Sequence, residues 1–335
     1  MTHVSIQARV CLVLASACAT ALTGSQAFAQ TVVANIPVPG FVGSGAVEQR
    51  AHRVYIPAGS NGTNGVVEVI NAVKRTIATT IELDTPWPAT SAALNPRTGV
   101  LWVGAENGGL FEIDTKTYKT IGFVNVNAAA IALNPETDTV YVSDFDSTLS
   151  VVDGKTGNIV YTNSNLVGIL NLVADSLNNR VYIAMQLFNP GAVWVLDGQT
   201  NQIIAKLPAG SSFTNSVALD PFHDAIYSAD QGLGTGTATI YSTKTDTQIA
   251  SLPISGDPDG IAVDPSTRTV FVSDLQNNEL DVINAKDNTL VGTLAVGSEP
   301  GYLTDDPTHK LLFVGTQGID THGNPLFWIT VVKTK

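Results

Sequence analysis

The chain has 335 residues, of which 44% are hydrophobic and only 14% are charged, and its formal net charge at pH 7 is −12. This much apolar material excludes an acidic, disordered chain. The negative balance also argues against general nucleic-acid binding, which depends on clustered Lys and Arg.

The N-terminal segment is predicted to be a signal peptide. Arg9 precedes an apolar stretch from Val10 to about Leu22, and Ala27-Phe28-Ala29 matches an A-x-A cleavage site. The apolar stretch is too short to span a bilayer, and no later segment is long enough either. We therefore expect residues 1–29 to be removed. Residues 30–335 would then form a single domain, without a membrane span, in the periplasm or outside the cell.

After this segment, one pattern recurs seven times. An Asp or Asn, often followed by Pro, precedes an aromatic residue by seven positions, as in Asn134 and Tyr141 or Asp264 and Phe271. We call this Asp or Asn the anchor of its repeat, with Glu48 as a degenerate first anchor. The anchors are spaced 39 to 47 residues apart and are Glu48, Asn95, Asn134, Asp175, Asp220, Asp264 and Asp306.

Each repeat is predicted to contain four strands. In the sixth repeat these are residues 260–263, 269–272, 280–283 and 289–294, and the anchor turn contains Pro265, which has no N–H to give to a ladder. Seven four-stranded repeats of this length predict an all-β, seven-bladed β-propeller.

The chain ends are predicted to close the ring. The seventh repeat stops after its third strand, at residues 327–332, whereas residues 32–40 are similar to the fourth strand of other repeats, such as residues 203–210. We therefore expect residues 31–38 to complete the last blade, which leaves no open edge between the first and last repeats.

The repeats resemble a known family. Residues 140–144 (Val-Tyr-Val-Ser-Asp) and 149–153 (Leu-Ser-Val-Val-Asp) look like the YVTN repeat of exported bacterial seven-bladed propellers. Residues 258–264 are similar to motifs of that group and of lactonase-type propellers. The resemblance covers residues 31–332 and implies the propeller fold, which by itself hosts binding, scaffolding and several chemistries.

The lactonase-type resemblance implies a metal site. Those propellers hold a divalent cation with Glu, Asn, Asn and Asp at the mouth of the central channel. Asn215 and Asp259 are similar to two of these ligands, Asn171 is offset by one position, and the glutamate has no evident counterpart. On this hypothesis the cofactor would be Ca, Mg, Zn or Mn.

A top face is defined by the connections from the fourth to the first strand and from the second to the third. Acids recur there just after the second strand, and aromatic side chains accompany them. The repetition has two interpretations: one structural carboxylate per repeat that accepts backbone N–H bonds in its own loop, or an acidic mouth that attracts a cationic ligand. The candidate ligand-binding residues are Trp87, Phe213, Tyr302, Glu106, Asp144, Asp230 and Asp274.

The histidines divide between the two faces. His322, beside Asp320 in the top connection of the seventh repeat, is a candidate acid/base residue. His52, His223 and His309 follow anchors at the opposite, bottom face, where we expect them to be solvated turn residues.

Two functions stay open from the sequence. The first is a monomeric, exported binding protein that recognises a protein or small-molecule ligand on its top face. The alternative is a lactonase- or lyase-type enzyme with Asn171, Asn215 and Asp259 around a cation and His322, with Asp320, as acid/base. No catalytic constellation stands out above the repeats.

Overall fold

The computed structural model describes residues 30–60, 64–186, 191–232 and 234–334. The predicted signal peptide lies outside these residues. They form seven antiparallel four-stranded blades with essentially no helix, as predicted. The one helical element among them is a 3-10 turn, Gln49–Ala51, and no helix in the described part of the chain is long and apolar enough to cross a membrane.

The strands are numbered in chain order, beginning with β1 (Thr31–Val38). Blade 1 contains β2 (Phe41–Val42), β3 (Ala46–Glu48), β4 (Arg53–Gly59), β5 (Val66–Asn71) and β6 (Thr76–Glu82). Blade 2 contains β7 (Ala89–Asn95), β8 (Val100–Ala105), β9 (Gly109–Asp114) and β10 (Lys119–Val124). Blade 3 contains β11 (Ala130–Asn134), β12 (Thr139–Ser143), β13 (Leu149–Asp153) and β14 (Ile159–Asn163).

Blade 4 contains β15 (Ile169–Asp175), β16 (Arg180–Met185), β17 (Ala192–Asp197) and β18 (Ile203–Pro208). Blade 5 contains β19 (Phe213–Asp220), β20 (Ala225–Gln231), β21 (Gly236–Ser242) and β22 (Thr247–Ile254). Blade 6 contains β23 (Pro258–Asp264), β24 (Thr269–Asp274), β25 (Glu279–Asn284) and β26 (Thr289–Ala295). Blade 7 contains β27 (Leu303–Asp306), β28 (Leu311–Ile319) and β29 (Pro325–Lys333), with β1 as its outer strand.

The closing strand lies where the sequence predicts it. β1 pairs antiparallel with β29, from Thr31 opposite Lys333 to Val38 opposite Phe327. The Thr330 hydroxyl also donates to Oδ1 of Asn35 at 2.9 Å. The N-terminal strand therefore satisfies the ladder of the last blade and joins the two ends of the chain.

Blade 1 departs from the predicted pattern because its inner strand is broken. β2 and β3 each pair with β4, and Gly43 lies between them. A side chain at Gly43 would meet the carbonyl oxygen of Thr90, since an added Cβ would lie 2.1 Å from it. The chain thus needs glycine at this point, where the backbone of blade 1 approaches that of Thr90 in blade 2.

Both residues of the repeated sequence pattern, the anchor and the aromatic residue, have a structural role. The aromatic residue seven positions after each anchor packs between blades, and its side chain is at most 2% exposed in all seven: Tyr55, Trp102, Tyr141, Tyr182, Tyr227, Phe271 and Phe313. The anchor itself closes its turn, as where Oδ1 of Asp264 accepts from the Ser266 backbone N–H at 2.9 Å. Repeats with an Asp or Asn anchor therefore combine a turn-closing acceptor with a core aromatic residue. In the first repeat, Glu48 instead accepts from the hydroxyl of Tyr55 at 2.6 Å.

Candidate ligand-binding site

A cavity of about 390 Å³ opens on the top face. Its lining comes from both kinds of top connection: Glu106, Phe145 and Leu275 follow second strands, whereas Glu299 and Gly301 precede the first strand of blade 7. The cavity lies mainly over blades 6, 7, 1 and 2, and is therefore set to one side of the ring.

Bulges in the innermost strands determine which residues reach the mouth. The register with the second strand shifts around Thr90 in β7, Asn215 in β19 and Asp259 in β23. A bulge adds a residue to one strand and re-aims its side chain. Thr90 and Asp259 line the cavity, and the equivalent positions of blades 1 and 7 are Gly43 and Gly301. Gly301 leaves open space beside Asp259, since an added Cβ there would lie 3.5 Å from Oδ2 of Asp259, whereas one at Gly43 would collide with the backbone of Thr90.

The charged residues that line the cavity are acids. Asp259, Glu106 and Glu299 line it, and among the described residues no Lys, Arg or His does. The Asp259 carboxylate has no hydrogen-bond donor within the described part of the chain. Burial, with a smaller contribution from the negative charge of Asp257, raises the pKa of Asp259 to about 6. At neutral pH the cavity therefore contains an ionised, unpaired carboxylate that a cation would stabilise.

Tyr302 lies next to these acids. Burial raises the pKa of its hydroxyl, and the negative charges of Asp259 and Glu106 raise it further. The hydroxyl stays neutral at physiological pH and is available as a hydrogen-bond donor.

The remaining wall is largely aromatic or apolar, with Thr90, Thr316 and Gln317 as its other polar residues. The rings of Phe41 and Phe327 lie 4.8 Å apart between centroids, tilted by 55°, and Phe41 is 59% exposed. Phe145 has a φ of 66°, a left-handed conformation that costs a bulky residue roughly 1–2 kcal/mol. Such strain is often found at binding sites, where the surrounding structure holds a side chain in place.

The structure brings three of the predicted site residues together: Glu106, Asp259 and Tyr302. Trp87 is 40% exposed and directly precedes the lining residue Pro88, but it does not itself line the cavity. Phe213, the first residue of β19, lies outside the lining as well.

The other three predicted acids hold their own blades together. Oδ1 of Asp144 accepts from the Ser147 backbone N–H at 3.0 Å. Asp230 is buried, which raises its pKa, and it accepts from the hydroxyl of Thr214 at 2.9 Å. Asp274 is also buried and accepts from Nδ2 of Asn277 at 2.7 Å. For these acids the geometry agrees with the interpretation of one structural carboxylate per repeat.

The candidate metal ligands do not converge. Oδ1 of Asn171 accepts from the Val217 backbone N–H at 3.3 Å, and Nδ2 of Asn215 donates to the Pro258 carbonyl at 3.1 Å. Both amides thus link their blade to the next one, and only Asp259 of the three lines the cavity. Within the described ranges there is also no group of three or more His, Cys, Asp or Glu that could hold a metal. The residues present do not fit a lactonase-type cation.

His322 and Asp320 lie in an exposed turn after β28, away from the cavity. The His322 side chain is 82% exposed, and its Nδ1 is 3.8 Å from Oδ2 of Asp320. Asp320 instead closes its own turn, because Asn324 donates to it from Nδ2 and from the backbone N–H, each at 2.9 Å, and these bonds lower the pKa of Asp320. The pair is therefore arranged as a turn, without an enclosed space for a substrate.

Sequence reasoning missed Phe41, Phe327 and Glu299 as lining residues. Phe41 follows the closing strand and Glu299 lies two residues before Gly301, so neither occupies a position that the repeat marks. Both Phe41 and Glu299 lie two positions before a glycine that stands five residues before its anchor, Gly43 and Gly301, so a search around that offset would have found them.

Comparison with known proteins adds the fold and no more. No family model matches the chain, and neither does any curated protein. Among solved structures, a chain of hydrazine synthase from Kuenenia stuttgartiensis superposes with a TM-score of 0.74 over 89% of this chain and 96% of that chain, at 16% sequence identity. Since identity this low shows the fold alone, membership of the YVTN-repeat family stays a prediction.

Proposed function

We propose that the protein is an exported β-propeller that binds a small organic cation with an apolar body in the top-face cavity. One observation carries the proposal: within the described chain the charged lining residues are all acids, and the rest of the wall is largely aromatic or apolar. The volume of the cavity, about 390 Å³, lies in the range of small-molecule sites.

The chemistry of the lining disfavours anionic and neutral ligands. An anion would be repelled by Asp259, Glu106 and Glu299, and a neutral ligand would leave the Asp259 carboxylate unpaired in a partly buried place. An ammonium group near Asp259 would pair with it, and the aromatic residues Tyr302 and Phe145, which line the same cavity, can add cation–π attraction. Phe41 and Phe327 provide the surface for an apolar body.

Export is supported by the sequence pattern of residues 1–29 alone. Mass spectrometry of the protein isolated from its native cells tests it. We expect a chain that begins at Gln30 and is recovered from the periplasm or the medium, and a cytoplasmic chain that retains Met1 to Ala29 would contradict export.

The enzyme alternative receives less support. Asn171 and Asn215 use their amides to join neighbouring blades, and His322 lies in an exposed turn. A binding protein needs none of these residues at the cavity.

Isothermal titration with matched ligands tests the binding function. The probes are benzyltrimethylammonium, its neutral isostere with carbon in place of nitrogen, and benzoate. We expect the ammonium compound to bind at least about tenfold more tightly than the neutral isostere. The quaternary nitrogen has no N–H to donate, but its charge is attracted by the Asp259 carboxylate, and cation–π contacts at a desolvated site add about 2 kcal/mol. Benzoate should show no binding.

Variants connect the result to the cavity. Asp259→Asn should weaken binding of the ammonium probe at least about tenfold, because it removes the Coulomb attraction between two unit charges, which is up to about 4 kcal/mol at a separation of about 4 Å near a protein surface. Asp146→Asn is the matched control, because Asp146 is an exposed acid in a top connection that does not line the cavity, and it should change affinity less than about twofold. Equal affinity for the charged and neutral probes would contradict the proposal, as would full affinity in Asp259→Asn.

A further inference from the structure

Two histidines and an aspartate form a chain of contacts at the bottom face, where blade 7 meets blade 1. Nδ1 of His52 lies 2.8 Å from Nε2 of His309, and Nδ1 of His309 lies 2.6 Å from Oδ2 of Asp306. The sequence interpretation of separate solvated turn residues is wrong for His309, whose side chain is only 14% exposed. The two imidazoles meet at the seam that closes the ring.

The contact occupies a position that other blades fill with amides and carboxylates. His52 has a φ of 55°, the left-handed turn conformation found four residues after the anchors. At the same position of the repeat, Asp138 accepts from Nδ2 of Asn95 in the preceding blade at 2.6 Å, and Asn179 accepts from Nδ2 of Asn134 at 2.9 Å. Only at the seam, within the described chain, do two imidazoles form this link between blades.

The hydrogen bond to Asp306 fixes the tautomer of His309. The Asp306 carboxylate is an acceptor, so Nδ1 of His309 carries the proton and Nε2 presents a lone pair toward His52. A carboxylate behind a histidine is the usual partner of a metal-binding imidazole, because it orients the ring and increases the basicity of the ligating nitrogen.

The spacing of the two nitrogens fits one edge of a metal coordination sphere. Two nitrogens that each lie about 2.0 Å from one ion and subtend a right angle are about 2.8 Å apart, whereas a tetrahedral angle separates them by about 3.3 Å. The observed distance is 2.8 Å. Right-angle coordination by nitrogen and oxygen is preferred by Cu²⁺ and Ni²⁺.

We propose that His52 and His309 bind a Cu²⁺ or Ni²⁺ ion at the seam between blades 7 and 1, with Asp306 as the positioning residue behind His309. On binding, the ion replaces the proton that the two nitrogens share, and His52 carries its proton on Nε2 instead. Water completes the coordination, since no third His, Cys, Asp or Glu of the described chain joins the group. The ion links the first and last blades and stabilises the closed ring.

The chain contains its own control. His223 holds the same position in blade 5 as His309 in blade 7, and its Nδ1 lies 2.8 Å from Oδ2 of the anchor Asp220. The next blade, however, presents Arg268 at the left-handed position, so His223 has the carboxylate without the second imidazole. Removing His223 deletes a histidine from an equivalent turn and leaves the proposed site intact.

The test is titration of purified protein, carrying no polyhistidine tag, with CuSO4, NiCl2 and ZnCl2. Affinity is measured by calorimetry. Stabilisation of the contact between blades 7 and 1 is measured as the shift in melting temperature. Two variants copy residues of other blades. His52→Asn matches Asn179, which keeps the left-handed turn. His309→Asn matches Asn178, whose Nδ2 donates to its anchor Asp175 at 2.7 Å. Both should therefore fold.

We expect one Cu²⁺ per chain, tighter binding of Cu²⁺ than of Zn²⁺, and a rise in melting temperature. His52→Asn and His309→Asn should each weaken copper binding at least about tenfold, and Asp306→Asn by about 10–100-fold as a second-sphere partner. His223→Ala should leave affinity unchanged. Copper electron paramagnetic resonance should show coupling to two nitrogens that is reduced in either histidine variant. Absence of binding to the wild type, or unchanged affinity in the two histidine variants, would overturn the proposal.

Discussion

Asp305 is predicted to destabilise the folded protein at neutral pH. It directly precedes the anchor Asp306, and the other six repeats have an aliphatic residue at this position: Val47, Leu94, Leu133, Ala174, Leu219 and Val263. One carboxylate oxygen of Asp305 is buried without a hydrogen-bond partner within the described chain. Burial, followed by the negative charges of Asp264 and Asp306, raises the pKa of Asp305 to about 8.

The magnitude follows from the difference between the folded and unfolded states. An unfolded Asp has a pKa of about 3.9. At pH 7 the Asp305 carboxyl group is therefore ionised in the unfolded chain but protonated in the folded chain. Between the unfolded pKa and pH 7, an interval of about three pH units, keeping Asp305 protonated lowers the free energy of unfolding by up to roughly 4 kcal/mol. Residual hydration of the partly exposed side chain reduces this loss to about 2–4 kcal/mol. Since the folded pKa of Asp305 is raised, its destabilising contribution is absent below about pH 4 and increases as the pH rises to about 8.

The assay is urea unfolding of the wild type, Asp305→Asn and Asp305→Leu at pH 4.5, 7 and 8.5. Asp305→Asn should increase the free energy of unfolding at pH 7 by about 2 kcal/mol or more, with a much smaller gain at pH 4.5. Asp305→Leu restores the aliphatic pattern and should gain at least as much. Asp287→Asn, in an exposed hairpin turn, is the control and should change little. Identical pH profiles for the wild type and Asp305→Asn would refute the reasoning.

Four further predictions address closure, a second buried acid, the cavity and the exposed turn. Deletion of residues 31–38 should lower the melting temperature by more than about 10 °C in differential scanning calorimetry, because it removes the ladder between β1 and β29 and exposes an edge; a truncated protein as stable as the wild type would contradict the closure. Burial, followed by the charges of Asp274 and Glu279, raises the pKa of Asp281 to about 7, so Asp281→Asn should raise the melting temperature more at pH 8 than at pH 5, and an equal effect at both would argue against this. Affinity for the ammonium probe should increase as the pH rises through about 6, where Asp259 ionises, and titrations of Asp259→Asn should lack this step. His322→Ala should leave probe affinity unchanged, and a loss would place the exposed turn at the site.

The fold could be predicted from sequence because each repeat carries two independent signals at a fixed spacing. The anchor marks the turn, and the aromatic residue seven positions later marks the inter-blade core, so six clear copies locate the seventh even where Glu48 replaces Asp or Asn. The broken inner strand of blade 1 could not be predicted, since it depends on the close approach of Gly43 to Thr90 in the next blade.

The candidate site could be predicted only where it follows the repeat. Asp259, Glu106 and Tyr302 stand at or next to repeat-defined offsets, and the cavity contains all three. Asp230 and Asp274 share such offsets but are buried among donors of their own blades, because the sequence period does not tell which direction a side chain takes. The contact between His52 and His309 joins residues 257 positions apart, so it required the closed ring.

A crystal structure with a bound cation tests the central claim most directly. The protein would be crystallised with 4-iodobenzyltrimethylammonium, whose iodine can be located by anomalous scattering. We expect the ammonium group beside the Asp259 carboxylate, with the iodophenyl ring against Phe41 and Phe327. An empty cavity at saturating ligand, or iodine density only at other sites, would contradict the proposed binding function.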